Sequence, residues 1–231
     1  MAILKGPDIS VFNGLVDFTK IKDKYDFVIL RCGYGSDFVS QDDENFLRNA
    51  LECERLNIPY GVYLYSYADT KEKALSEAKH VLRLIKDRDI SFGVWYDLED
   101  KILPENKELL SDIAVTFLEE IENSGYYAGI YASLYFFNNR FNKEKIAPYD
   151  KWVAQWNNED NFKDPHGIWQ FTSKAEIEGL EGNFDMNLAY KNYPEITKNL
   201  KGNDKFPIPE RIEVIYGNKK AEYLLNKVTK E

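Results

Sequence analysis

Phe92-Gly93-Val94-Trp95-Tyr96-Asp97-Leu98-Glu99-Asp100 decides how this chain is read, because an apolar run with the character of a buried strand ends in three carboxylates. Alternation along a strand puts Trp95, Asp97 and Glu99 on one face and Val94, Tyr96 and Leu98 on the other, with the two acids roughly 7 Å apart along the chain. Packing alone does not call for such a pair. Neighbouring carboxylates repel and raise one another's pKa, so one can keep its proton near neutral pH while the other stays an anion. A proton donor beside an anion is what glycoside hydrolysis uses. An isolated Asp-x-Glu could equally close a strand in a solvated turn, so the reading depends on the rest of the chain.

Apolar, β-rich runs recur on both sides of that stretch: Ile3 to Val11, Phe27 to Cys32, Tyr60 to Tyr67, Tyr127 to Ala132, Trp152 to Trp156, Ile168 to Phe171 and Phe184 to Leu188. Between the early ones lie helical patterns built on Phe46, Leu47, Ala50 and Leu51, on Ala74 to Ile85, and on Leu109 to Ile121. Asp69 with Glu72 resembles a capping box, Pro104 suits a first helical turn, and Asn123-Ser124-Gly125 reads as a helix stop. Strand and helix in alternation imply a parallel sheet, and eight strands in a domain of this size imply a closed α/β barrel. After Ala132 the strands crowd together. The expected architecture is an irregular TIM-like barrel of five βα units followed by three mostly helix-free strands, with a short C-terminal tail.

Barrel chemistry sits at the C-terminal strand ends. Asp8 lies in the first strand, Asp97 and Glu99 end the fourth, and Asp185 lies in the eighth, which must neighbour the first if the barrel closes. Four acids then face one another across the mouth. Tyr63, Tyr65 and Tyr67 share a strand face, and Tyr131, Trp156 and Trp169 fall near other strand ends, where flat rings could stack on sugars or simply pack. Arg31 ends an otherwise apolar strand and is costly to bury unpaired, so it is expected to meet a mouth acid or a substrate group.

Composition narrows the function classes. A hydrophobic content of 44% is ample for a core, and a net charge of −9 is unsuited to a nucleic-acid partner. The charge is uneven: Lys198 to Glu231 holds seven Lys and one Arg against five acids. Cys32 and Cys53 each sit inside an apolar pattern and read as small buried thiols. The N-terminus carries no apolar signal core, and no segment approaches the ~18 apolar residues of a membrane span. No Gly-rich phosphate loop follows a strand, so no cofactor is expected. His80 and His166 are too few for the usual catalytic zinc site of an amidase or peptidase.

These residues together resemble glycoside hydrolase family 25, the Chalaropsis-type muramidases that include many phage endolysins. The resemblance is carried by Asp8-Ile9-Ser10 with Asn13-Gly14, Phe27 to Gly35, Gly61 to Ser66, Asp97-Leu98-Glu99, Gly129-Ile130-Tyr131, Trp152 to Trp156, Ile168 to Ser173 and Gly182 to Asn187. It spans about residues 1–193, and the family often has Gln where Asn13 stands and His where Leu64 stands. It implies a catalytic barrel over 1–195 that cleaves the β-1,4 bond between N-acetylmuramic acid and N-acetylglucosamine in peptidoglycan. Carried over by position, Glu99 is the general acid, Asp97 assists at the anomeric carbon or orients the 2-acetamido group, and Asp8 and Asp185 complete the acidic mouth. Arg31, Tyr63, Tyr65, Tyr131, Trp156 and Gln170 become the substrate-binding candidates. The rival is a barrel that binds peptidoglycan or chitin without cleaving it, which would not need repelling carboxylates.

From residue 196 the chain turns Lys-rich, with Pro207-Ile208-Pro209 as a linker and 212–225 as a strand and helix start. This stretch faintly resembles the opening of clostridial phage wall-binding modules. Without an export signal, the expectation is an endolysin held in the host cytoplasm until a holin lesion admits it to the wall.

Overall fold

The computed structural model describes residues 3–201 of the chain, so the linker and the elements expected over 207–225 lie outside the described residues. All eight expected strands form: β1 Leu4–Ile9, β2 Val28–Tyr34, β3 Tyr60–Tyr65, β4 Val94–Asp97, β5 Ala128–Ser133, β6 Asp150–Ala154, β7 Ile168–Ala175 and β8 Phe184–Ala189. They close in sequence order into a barrel. β1 to β7 pair in parallel, whereas β8 runs antiparallel to both β7 and β1. The parallel sheet implied by the sequence forms from β1 to β7, and β8 alone departs from it. The link from Ala175 to Phe184 is too short for a parallel crossover, which needs about a dozen residues or more, but is enough for a hairpin.

Helices α1 Phe46–Leu56, α2 Lys71–Leu84 and α3 Lys107–Asn123 follow β2, β3 and β4, and the short α4 Leu134–Asn139 and α5 Lys143–Ile146 follow β5. Only 3₁₀ turns, Val11–Asn13 and Phe18–Lys20, stand between β1 and β2, so the first of the five expected βα units carries no α-helix. Two helix starts also differ from expectation. The cap of α2 is Thr70, whose hydroxyl accepts from the Lys73 N–H, and Asp69 lies instead 2.8 Å from the Lys73 ammonium. The cap of α3 is Asn106, which accepts from the Glu108 and Leu109 N–H groups, and Pro104 stays outside the helix. Cys32 and Cys53 are buried free thiols.

Two apolar layers follow from the alternation. Val94, Tyr96 and Leu98 face outward against the helices, in a layer that also holds Val62, Leu64, Ile113 and Phe117. Trp95 points inward with Phe27, Phe92, Tyr127, Trp152 and Tyr193, so the barrel interior is filled with rings. Gly129 on β5 makes the room: a Cβ there would stand 2.4 Å from Trp95 Cζ3. Helix α6, Tyr193–Lys201, closes the end opposite the mouth. Tyr193, Ile196 and Leu200 are buried in the inner cluster, so the helix continues across the 195/196 boundary drawn from the sequence. The Tyr193 and Tyr127 hydroxyls donate to Asp150 at the start of β6, 2.7 Å each, and Lys191 pairs with the same carboxylate.

Candidate active site

The strand ends converge on a cavity of about 340 Å³ lined by Asp8, Arg31, Tyr63, Tyr65, Asp97, Glu99, Tyr131 and Asp185, together with Ser10, Phe12, Asn13, Trp152 and Asn183. Its floor is aromatic. Trp152 meets Tyr131 edge to face at 4.5 Å and Tyr63 at 5.9 Å, and Trp95 lies beneath at 6.0 Å. The register explains the rim, since Tyr65 on β3 and Tyr131 on β5 both pair with Asp97 on β4.

Carboxyls set on such a floor lose hydration, and each also feels the others' charge. Burial, then Glu99 and Asp8, hold the Asp97 carboxyl well above the usual carboxylate range, with Arg31 opposing. Asp8 is pushed up to about 7 by burial and Asp185, against hydrogen bonds from Asn187 and Gln170. Burial pushes Asp185 up to about 6. Glu99 lies two residues beyond β4 with an accessible carboxyl, which the enclosing protein, Asp185 and Asp100 raise as well. Oδ1 of Asp97 is buried without a hydrogen-bond partner among the described residues. The third acid of the stretch does other work: Asp100 accepts from the Tyr65 hydroxyl (3.0 Å) and from the Ile102 N–H (2.8 Å).

Of the two partners the sequence left open for Arg31, a mouth acid or a substrate group, none of the four acids pairs with it, while Arg31 does line the cavity. Its Nε donates to Oδ2 of Asp43 at 2.7 Å, an acid to which no sequence pattern drew attention. Asp43 also accepts from Val11 N (2.9 Å) and Asn45 N (3.0 Å), so it ties the turn after β1 to the chain leading into α1. The Arg31 guanidinium lies 4.7 Å from the exposed Phe12 ring. Phe12 was missed because an exposed aromatic in a loop breaks no pattern.

The remaining candidates are divided. Tyr67 lines an adjoining cavity of about 790 Å³, which shares Phe12, Arg31 and Tyr65 with the first. Trp156 is 65% exposed at the rim, and Trp169 is buried with its indole donating to the Gln155 carbonyl. Neither lines the acidic cavity, and neither does Gln170, which is buried behind it and donates to Asp8. Asn13 reaches the cavity and bridges to the Asn183 carbonyl, whereas Leu64 faces the helix layer. The histidines stand apart: His80 is bonded to Asp42 and His166 to Asp160.

Fold and site define the class: an eight-stranded α/β barrel with an acidic mouth over an aromatic floor. The chain belongs to the glycosyl hydrolases family 25, whose sequence model matches residues 7–180. Among solved structures it is similar to the modular autolysin LytC from Streptococcus pneumoniae, at 29% identity and a TM-score of 0.75, over 81% of this chain and 47% of that one. This chain thus spans about half the length of that autolysin, which has also been solved with a synthetic peptidoglycan ligand. It shares its fold with the CTP1L endolysin (24% identity, TM-score 0.74, 98% of this chain and 80% of that one). It shares it too with the catalytic domain of endolysin ply40 from bacteriophage P40 of Listeria monocytogenes (23% identity, TM-score 0.71, 87% and 98%). The search of curated proteins gave no match.

Proposed function

We propose that the protein is a muramidase that hydrolyses the β-1,4 bond between N-acetylmuramic acid and N-acetylglucosamine in peptidoglycan. The observation that carries this reading is the convergence of Asp8, Asp97, Glu99 and Asp185 on one cavity, all with carboxyls raised above their ordinary range. Binding alone gains nothing from clustered acids that repel one another. A solved complex of the pneumococcal relative with a peptidoglycan ligand supports the substrate class.

Glu99 is the general acid. Burial and the charges of Asp185 and Asp100 favour the protonated form of its carboxyl, and its accessibility lets it reach a glycosidic oxygen. Asp97 supplies a buried acceptor that has no donor among the described residues, and the N–H of a 2-acetamido group is such a donor. Holding that group turns its carbonyl oxygen toward the anomeric carbon as positive charge develops there. Tyr63, Tyr65 and Tyr131 give the sugar flat walls, and the carboxylates of Asp185 and Asp100 favour the proton on Glu99.

In the endolysin role proposed here the protein accumulates in the host cytoplasm and reaches the wall through a holin lesion. No helix among the described residues is long and apolar enough to cross a membrane. The test is digestion of purified Gram-positive peptidoglycan, followed by borohydride reduction and mass spectrometry. Muramitol at the new ends supports the reading. Reduced N-acetylglucosamine ends, or free amino groups in place of new reducing ends, would overturn it.

A further inference from the structure

Asp8 lies at the back of the site, 6% exposed, and one of its oxygens is engaged twice. Oδ2 accepts from Gln170 Nε2 on β7 and from Asn187 Nδ2 on β8, each at 2.9 Å. Groups that can only donate fix the direction of both amides. The Trp156 indole donates to Gln170 Oε1 at 3.0 Å, and the Trp152 indole donates to Asn187 Oδ1 at 2.7 Å. An indole N–H has no acceptor capacity, so each amide must turn its oxygen to the tryptophan and its NH₂ to Asp8. Asn187 Nδ2 also donates to the Gly6 carbonyl, and the Tyr131 hydroxyl donates to Gln170 Oε1. Two N–H donors converging on Oδ2 exclude a proton from that oxygen, so any proton on Asp8 must sit on Oδ1.

We propose that Gln170 and Asn187 are positioning residues that hold Asp8 as an oriented carboxylate, with Trp156 and Trp152 setting the direction of their amides. Neither amide lines the cavity, so both act through Asp8. The groups facing Asp8 are Asp185 on β8, Asp97 on β4 with Glu99 beyond it, Arg31 on β2, Tyr63 on β3 and Tyr131 on β5. Burial, Asp185 and Glu99 favour the neutral acid, and the two amides are what opposes them. Trp156, exposed at the rim, is joined to a mouth acid through a single amide.

This inference rests on the muramidase reading only for the meaning of Asp8, and its test is independent of wall lysis. Aspartate carboxyl carbons labelled with ¹³C are titrated by NMR in the wild type and in Gln170→Met, with Asp8 identified by the signal lost in Asp8→Asn. Gln170→Met keeps the chain length and removes the donor. The Asp8 midpoint is expected to rise by about one to two pH units. Trp156→Phe keeps an aromatic ring and removes the indole N–H, so a smaller rise in the same direction is expected. An unmoved Asp8 midpoint in folded Gln170→Met overturns the proposal. Should Gln170→Met not fold, the exposed Trp156→Phe decides: a rise supports the proposal and no rise overturns it. The acid limb of wall lysis should follow the midpoint upward. A wild type that releases nothing from walls would overturn the muramidase reading and leave the Asp8 titration to decide this one.

Discussion

Asp8 on β1 and Asp185 on β8 are register partners across an antiparallel pair. Asp185 stands second in its strand, a position that a parallel β8 would carry to the closed end of the barrel. Reversal of β8 brings the start of that strand to the mouth, where Asp185 meets Asp8 and joins Asp97 and Glu99. The hairpin that reverses β8 is therefore what completes the acid cluster.

Glu99→Gln is expected to abolish lysis while leaving sedimentation with walls and the circular dichroism spectrum unchanged, since its accessible side chain contributes little to packing. A general acid typically contributes about 10²–10⁴ in rate. Turbidity clearing by the purified variant at a wild-type rate would sink the assignment. Asp97→Asn should lose at least about 100-fold in the same assay, because an Asn amide can offer its NH₂ where an acceptor is needed.

Asp185→Asn should stabilise the protein at neutral pH and not in acid. The Asp185 carboxyl stands at about 6 in the folded chain against an ordinary 3.8. Between those values the folded chain holds a proton that the unfolded chain has lost, so stability falls as pH rises through the window. Removing the group removes that loss, by up to about 2 kcal/mol above pH 7 or roughly 4–8 °C in Tm for a chain of this size. Calorimetry at pH 4 and pH 8 checks it, and an equal Tm difference at both pH values would contradict it.

Asp43→Ala is expected to cost about 3–5 kcal/mol, because it leaves the Arg31 guanidinium without its buried partner and Val11 N without an acceptor. Urea unfolding reads the stability. Activity should fall as well, since the same carboxylate anchors the turn that carries Ser10, Phe12 and Asn13 into the cavity wall.

Gly129→Ala drives a methyl group into the Trp95 ring and should destabilise the barrel by about 1–3 kcal/mol. Trp95→Leu in the same chain should recover part of that loss by vacating the space. Failure of the double variant to recover any would show that Gly129 is needed for its backbone rather than for the ring.

The order of strands and the contents of both barrel faces were legible in the sequence, because period-two alternation through 92–99 already separates Trp95, Asp97 and Glu99 from Val94, Tyr96 and Leu98. Asp8, Asp97 and Glu99 were legible for the same reason, each standing toward the C-terminal end of an apolar run, whereas Asp185 stands at the start of its run and was placed only by the need for the eighth strand to neighbour the first. The helix caps were less so, as Asp69 and Thr70 are both good cap residues one position apart and only backbone geometry selects between them. Three features were decided by the tertiary structure alone. The antiparallel β8 follows from a link too short to cross the barrel, the pairing of Arg31 with Asp43 follows from how the chain entering α1 folds over the end of β2, and the bonding of Gln170 and Asn187 to Asp8 joins residues more than 160 positions apart in the chain. Local pattern records which face a side chain takes, because that depends on its immediate neighbours along the strand. It holds no information on which distant hydrogen-bonding group will meet that side chain once the barrel has closed.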